Sequence, residues 1–216
     1  MNSFLPVRWI TLNLFKVSFL LFSFLLVTDA YSASKTILVL GDSLSAEYGL
    51  ARGQGWVSLL EKKLAEEKIP ARVINASISG ETSIGGKNRL PDLLNQHHPD
   101  IVIIELGGND ALRGLPLNNS EDNFRTIIVS AKHQNAKVLL AGMQVPPNYG
   151  KTYTQQFFSM YQKLAQEQKI RLVPFLLEGV ANNNQLFQSD RIHPVAAAHP
   201  IILQNIWDQL HPLLKK

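Results

Sequence analysis

Ile37-Leu38-Val39-Leu40-Gly41-Asp42-Ser43-Leu44 is the stretch on which the fold of this chain turns. Ile37–Leu40 is a short, wholly apolar run of the kind that forms a buried strand. Gly41 then permits a sharp turn, and Ser43 falls where the strand hands over to a helix. At the carboxyl edge of a parallel sheet, a serine so placed presents its hydroxyl beside free backbone N–H groups. Gly41-Asp42-Ser43-Leu44 alone is weak evidence, because short Gly/Asp/Ser stretches are common in turns. Its weight comes from Asp190-Arg191-Ile192-His193-Pro194 near the other end. Together the two segments supply a nucleophile, a base and a carboxylate to orient the base.

Outward from that strand, the chain alternates between strand-like and helix-like segments. Strands are expected at 36–40, 72–76, 101–106, 137–141 and 171–174. Helices are expected at 54–68, 87–97, 121–135, 152–168 and 194–214. In the first helix Trp56, Leu59, Leu60 and Leu64 share one stripe, with Glu and Lys opposite. Pro91 is placed near the start of the second helix, where a missing N–H costs least. Asn119 or Ser120 is a candidate cap for the third. Residues 101–106 are almost wholly apolar, as in a strand buried on both faces. The alternation implies one α/β domain, with a mostly parallel five-stranded sheet between helical layers. Loops after the strands then build the site.

The first 33 residues differ from the rest. Arg8 and Lys16 precede an apolar run from Val17 to Val27, followed by the small residues Ala30, Ser32, Ala33 and Ser34. This is the pattern of a cleaved signal peptide, and the uncharged run is short for a membrane span, which needs roughly 20 residues. An uncleaved anchor from Trp9 to Val27 is the rival. Cleavage after Ala30, Ser32 or Ala33 is expected, the last disfavoured by the bulk of Tyr31. The division is therefore 1–33 leader and 34–216 single domain, giving a periplasmic or secreted protein. Among 216 residues there is no cysteine, which excludes disulfides, thiolate chemistry and an acylated-cysteine anchor. The net charge of +4 is spread without a basic, aromatic-studded face, so nucleic acid is not an expected partner.

Two further loops carry residues of chemical interest. Asn75-Ala76-Ser77-Ile78-Ser79-Gly80-Glu81-Thr82 follows the second strand, and Glu105-Leu106-Gly107-Gly108-Asn109-Asp110 follows the third. Acyl transfer passes through a tetrahedral intermediate whose oxygen is negative, and donors fixed around it beforehand stabilise it strongly. Gly80 offers a backbone N–H, and Asn109 a side-chain amide. Plain turn formation is the competing reading of each. His193 suits a general base, histidine's ordinary value being about 6.5, and Asp190 three residues earlier lies on the same side of one turn. The other histidines lack a carboxylate at such spacing, and no grouping has metal-ligand spacing, so neither metal nor cofactor is expected. Asp42 and Asp110 suggest a glycosidase pair, but that leaves Ser43, Asn109 and His193 without roles.

Gly41-Asp42-Ser43-Leu44, Gly80 in its Ser-Gly-Glu-Thr loop, Gly107-Gly108-Asn109-Asp110 and Asp190-x-x-His193-Pro194 resemble, in order, the blocks of the SGNH (GDSL) hydrolases. Within that family, Asn75–Gly80, Leu106–Asp110 with Leu112-Arg113-Gly114, and Pro147-Asn148-Tyr149-Gly150 resemble the bacterial periplasmic enzymes with acyl-CoA thioesterase, protease and lysophospholipase activities. The resemblance implies a flavodoxin-like α/β/α sandwich and a Ser43–His193–Asp190 triad. It implies an oxyanion hole from Ser43 N–H, Gly80 N–H and the Asn109 side chain. It also implies substrate contacts from Asp42, Leu112, Leu115, Met143, Val145 and Pro146, the apolar ones lining an acyl groove. Arg191 stands where related sequences often carry glycine. The expected activity is hydrolysis of acyl esters, thioesters and lysophospholipids by a monomer. A carbohydrate O-deacetylase on the same scaffold is the alternative, and a silent binding protein the alternative of another class.

Overall fold

Each apolar run becomes a strand: β1 (Lys35–Gly41), β2 (Ala71–Asn75), β3 (Ile101–Glu105), β4 (Lys137–Ala141) and β5 (Arg171–Val173). The structure is a computed structural model that describes residues 34–215; the expected leader over residues 1–33 lies outside the described residues. All pairings are parallel, in the order β2-β1-β3-β4-β5. That is the flavodoxin-like doubly wound order, whose switch point lies between β1 and β3. The register pairs Val39 with Asn75 on one side and with Ile103 on the other, and sets Gly41 against Glu105. The chain therefore leaves β1, β2 and β3 at one edge, side by side.

Ile37–Leu40 of β1 and Ile101–Ile104 of β3 are fully buried, as expected of central strands covered on both faces. Burying a side chain of this size contributes roughly 1.5–3 kcal/mol, so these two strands anchor the core. Helices α1 (Trp56–Glu66) and α6 (His199–Leu214) pack together on one face. On the other lie α2 (Ser83–His97), α4 (Leu117–His133) and α5 (Lys151–Gln168). Helix α3 (Gly108–Leu112) is a single short turn after β3. Among the described residues no helix is long and apolar enough to cross a membrane.

Three helix starts differ from expectation. Helix α2 begins at Ser83, so Pro91 lies inside it rather than near its start. Gly85-Gly86 disguised that first turn as a loop. Yet a Cβ on Gly86 would come within 2.5 Å of Leu106, so glycine is what lets the helix sit close on the sheet. Helix α4 begins at Leu117, after Pro116, and Ser120 is no cap. Its hydroxyl instead donates to Asp110 Oδ1 at 2.8 Å. Pro194 starts no helix; α6 begins five residues later at His199, behind a short turn over Ala196–Ala198. His199 is 2% exposed, and its Nδ1 accepts the Trp56 N–H at 3.0 Å. Burial lowers its pKa, which keeps the ring neutral and able to accept at the amino end of α1.

Candidate active site

Ser43 stands in the turn immediately after β1, half-buried, and His193 approaches it from the loop before α6. His193 Nε2 lies 2.9 Å from Ser43 Oγ, and Nδ1 lies 2.7 Å from Asp190 Oδ2. A carboxylate can only accept, so Nδ1 carries the proton and Nε2 is left to accept from the serine hydroxyl. Asp190 Oδ1 takes two backbone donors, Ile192 N–H at 2.9 Å and His193 N–H at 3.0 Å. The spacing of three lets Asp190 fold the turn that carries His193. The His193 N–H, the imidazole and the Ile192 N–H together hold Asp190 down at about 2, a carboxylate at any working pH.

The loop that carries His193 is closed below. Phe187 and Pro194 form an antiparallel bridge, with Gln188 N–H on the His193 carbonyl at 2.8 Å and Val195 N–H on the Leu186 carbonyl at 2.9 Å. Gln188 Nε2 also donates to the carbonyl of Tyr48, at 2.9 Å, tying this loop to the one after β1. Tyr48 lays its ring against His193, centroids 4.3 Å apart. Sequence reading missed both residues, since neither periodicity nor motif marks them. Arg191 has φ 58, the left-handed conformation that glycine adopts without cost. Its departure from the related sequences is thus a conformational matter as well as one of charge.

The three candidate donors for an oxyanion lie in three adjacent loops. Among the described residues, the Ser43 and Gly80 N–H groups have no intramolecular acceptor. Asn109 differs from expectation. Its Nδ2 donates to Asp42 Oδ2 at 2.9 Å and to the Glu81 carbonyl at 3.0 Å, so both amide protons are engaged. The side chain thus bridges the residue before Ser43 and the residue after Gly80, setting the distance between the two free N–H groups. A developing oxyanion can share the proton now on the neutral Glu81 carbonyl, while the stronger acceptor, Asp42, keeps the other. Arg113 holds the Gly80 loop from above, Nη2 donating to the Gly80 carbonyl at 2.7 Å. Gly107, φ 104, admits no side chain: a Cβ there would meet the Tyr161 hydroxyl, which donates to the Leu106 carbonyl at 2.9 Å.

The expected substrate contacts divide. Leu112 is 50% exposed and Pro146 is exposed, while Leu115 is half-buried beside a cavity of about 420 Å³ between α2 and α4. Asp42, 2% exposed, lies beneath the serine turn and holds Asn109, so it offers nothing to a substrate directly. Met143 and Val145 are 6% and 8% exposed and belong to the core. Their segment alternates, and Gln144 between them faces out, into a second cavity of about 520 Å³ with Lys151, Thr154, Gln155 and Phe158. Neither cavity is lined by a residue of the triad. Asp110 is no second catalytic acid: buried, it accepts Ser83 N–H at 2.9 Å and the Ser83 and Ser120 hydroxyls.

Ser43, His193 and Asp190 stand in line on a flavodoxin-like sheet, the arrangement that a serine hydrolase site requires. The chain belongs to the GDSL-like lipase/acylhydrolase family, whose model matches residues 39–201. It is 49% identical to Esterase TesA of Pseudomonas aeruginosa over 190 residues, covering 88% of this chain and 94% of that one. It is 43% identical to Thioesterase 1/protease 1/lysophospholipase L1 of Escherichia coli K12, covering 88% and 89%. A crystal structure of the psychrotrophic esterase EstA from Pseudoalteromonas sp., inhibited by monoethylphosphonate, superposes with a TM-score of 0.80 at 40% identity, covering 84% of this chain and all (100%) of that one.

Replacing Asn109 with alanine is expected to lower kcat by roughly 10²–10³ with little change in KM, because both the bridge and the shared donor matter most once charge develops. Steady-state kinetics on a soluble ester checks this. An effect confined to KM would make Asn109 a substrate-binding residue instead.

Proposed function

We propose that this protein is an exported serine hydrolase that cleaves acyl esters and thioesters through a covalent acyl-enzyme. The observation that carries the reading is the continuous line from Asp190 through His193 to Ser43, at 2.7 and 2.9 Å. Ser43 Oγ attacks the carbonyl carbon as His193 Nε2 takes its proton. The Ser43 and Gly80 N–H groups, joined by Asn109, receive the oxyanion. Asp190 holds the imidazole and stabilises the cation it becomes. The face of Tyr48 lies against that cation too, an attractive arrangement for a positive ring. His193 then protonates the alcohol or thiol leaving group. A water activated by the same nitrogen releases the acid and restores Ser43.

Large apolar residues left in the open favour acyl chains as substrates. Tyr48, Ile78, Ile84, Leu112, Tyr149 and Ile192 are between 36% and 50% exposed; among the described residues Val129 of α4 is the one other large apolar side chain so exposed. All six lie in loops after strands or in the first turn of a helix that follows one, at the edge of the sheet where Ser43 stands. Single exposed apolar residues are ordinary, but this concentration on one edge marks a surface for apolar ligands. Arylesters, acyl-CoA thioesters and lysophospholipids all present such a chain. The opposing observation is that neither cavity is lined by the triad, which suits a short acyl group and an O-deacetylase.

A panel running from acetyl to medium-chain p-nitrophenyl esters, with acyl-CoA, lysophospholipid and acetylated sugars, separates the two. A methylene moved fully from water contributes about 0.8 kcal/mol, so kcat/KM should rise by at most about fourfold per added methylene until the surface is filled. Leu112→Ser and Ile78→Ser should weaken long chains selectively and spare acetyl esters. Rates that peak at acetyl would leave the deacetylase as the better account. Export rests on the charged, apolar and small-residue zones of residues 1–33. Sequencing the amino terminus of the protein recovered from the periplasm or medium should find it starting just after Ala30, Ser32 or Ala33.

A further inference from the structure

Behind the serine turn lies an acid that the mechanism has not used. Glu105 ends β3 and is fully buried, and Asp42, at the turn after β1, is 2% exposed. The register that sets Gly41 against Glu105 brings the two carboxyls into contact. Glu105 Oε2 accepts the Asp42 N–H at 3.2 Å and the Ser45 hydroxyl at 2.6 Å, and Ser45 Oγ in turn accepts Trp56 Nε1 at 3.2 Å. Glu105 Oε1 is buried with no hydrogen-bond partner among the described residues. Asp42 already accepts from Leu44 N–H and from Asn109. Among the described residues no lysine or arginine bonds to either carboxyl.

Two buried carboxylates side by side without a cation bonded to them cannot both stay ionised. We propose that Glu105 is protonated in the resting protein and donates through Oε1 to the Asp42 carboxylate, forming an acid–carboxylate pair that positions Asn109 and the serine turn. The inference rests on the Ser43–His193–Asp190 reading above. The chain of bonds runs Glu105 O–H to Asp42, Asp42 to the Asn109 amide, Asn109 to the Glu81 carbonyl beside Gly80. Glu105 is therefore a positioning residue: it touches no substrate, but it fixes the groups that meet the oxyanion. Burial and the neighbouring charge of Asp42 push Glu105 well above the ordinary carboxyl range, and burial pushes Asp42 up as well.

Other ionisable groups face the pair from the surrounding elements. His193 of the triad loop acts on Asp42. Tyr161 of α5, buried, is itself pushed up by burial and by Asp110, Glu105 and Asp42, so it stays neutral. Asp110 of α3 is spent on Ser83 and Ser120. On the alkaline side the titrating group is then Glu105. Its loss of a proton sets two carboxylates against each other and loosens Asp42 from Asn109. The effect on folding has a definite sign. A raised native pKa gives stability that is complete below the unfolded value, 4.5 for Glu105, and lost as pH rises towards the native one.

The test compares Glu105→Gln and Glu105→Leu with the full-length native protein. Gln keeps the oxygen for Ser45 and Asp42 N–H and can donate to Asp42 at every pH. Its kcat at neutral pH should stay within about threefold of the native enzyme, its alkaline fall in kcat should vanish, and its KM should not move. Its thermal midpoint should also stop falling as pH rises. Leu removes donor and acceptor together and should lower kcat at least about tenfold with KM unchanged. Infrared difference spectra of the native protein should show a protonated carboxyl band at neutral pH that Glu105→Gln lacks, a readout that does not depend on Leu folding. A native spectrum without that band, or a Gln variant as impaired as Leu, overturns the inference. Labelling of Ser43 by an activated phosphonate keeps the two readings apart. If the label lands elsewhere the triad reading fails, and if it lands on Ser43 while the Glu105 results are negative, only this inference fails.

Discussion

Ser43→Ala is expected to lower kcat by about 10⁴-fold or more while the protein keeps its fold, and His193→Ala to do nearly the same. The double variant should be scarcely worse than either single one. The reason is geometric. Nε2 of His193 lies 2.9 Å from Ser43 Oγ, so nucleophile and base act as one unit, and removing either leaves the other nothing to do. Folding should be spared because the hydroxyl sits in a half-buried turn after β1 and supports no helix or strand. Residual turnover should come from the free Ser43 and Gly80 N–H groups, which the alanine variant retains. Single-turnover kinetics and circular dichroism on the same preparations check both halves. Substantial ester hydrolysis by clean Ser43→Ala would move the nucleophile to a neighbouring hydroxyl, of which Ser77 and Ser79 are in the facing loop.

Asp190→Asn is the second large effect, roughly 10³–10⁴ in kcat. Asp190 Oδ1 must accept both Ile192 N–H and His193 N–H, so the amide oxygen of asparagine is committed there. The amide nitrogen then takes the place of Oδ2, 2.7 Å from Nδ1, and it too is a donor. The imidazole must turn to the tautomer with its proton on Nε2, facing Ser43, where it cannot accept the serine proton. The turn itself survives, because its two backbone bonds survive, so the loss should appear in rate rather than in stability. Asp190, held at about 2, is ionised at every working pH, so the loss in Asp190→Asn should be the same across the working pH range.

Much of this was legible from the chain because it depends on short-range patterns. Ile37–Leu40 and residues 101–104 are apolar without interruption, which only a doubly covered parallel strand needs, and all five strands lie within two residues of their expected ends. The Asp190–His193 spacing encodes its own turn, so two members of the triad could be paired before any fold was known. Helix starts were less legible. Gly85-Gly86 and Asn118-Asn119 look like loops until the packing of α2 on the sheet and the position of Pro116 are seen. Met143 and Val145 look like groove residues because apolar residues in a loop invite that reading, and the core claimed them instead.

By itself, the sequence determined the alternation of strands and helices, the strand boundaries and the pairing of Asp190 with His193. Those follow from periodicity and from residues a few positions apart. Only the tertiary structure decided the order β2-β1-β3, and with it everything that depends on three loops meeting at one edge. Asn109 bridging Asp42 and Glu81 and Tyr48 against His193 join residues dozens to more than a hundred positions apart. So does Glu105 against Asp42. No local pattern encodes such pairs, because they arise from strand register and burial, which the chain sets as a whole.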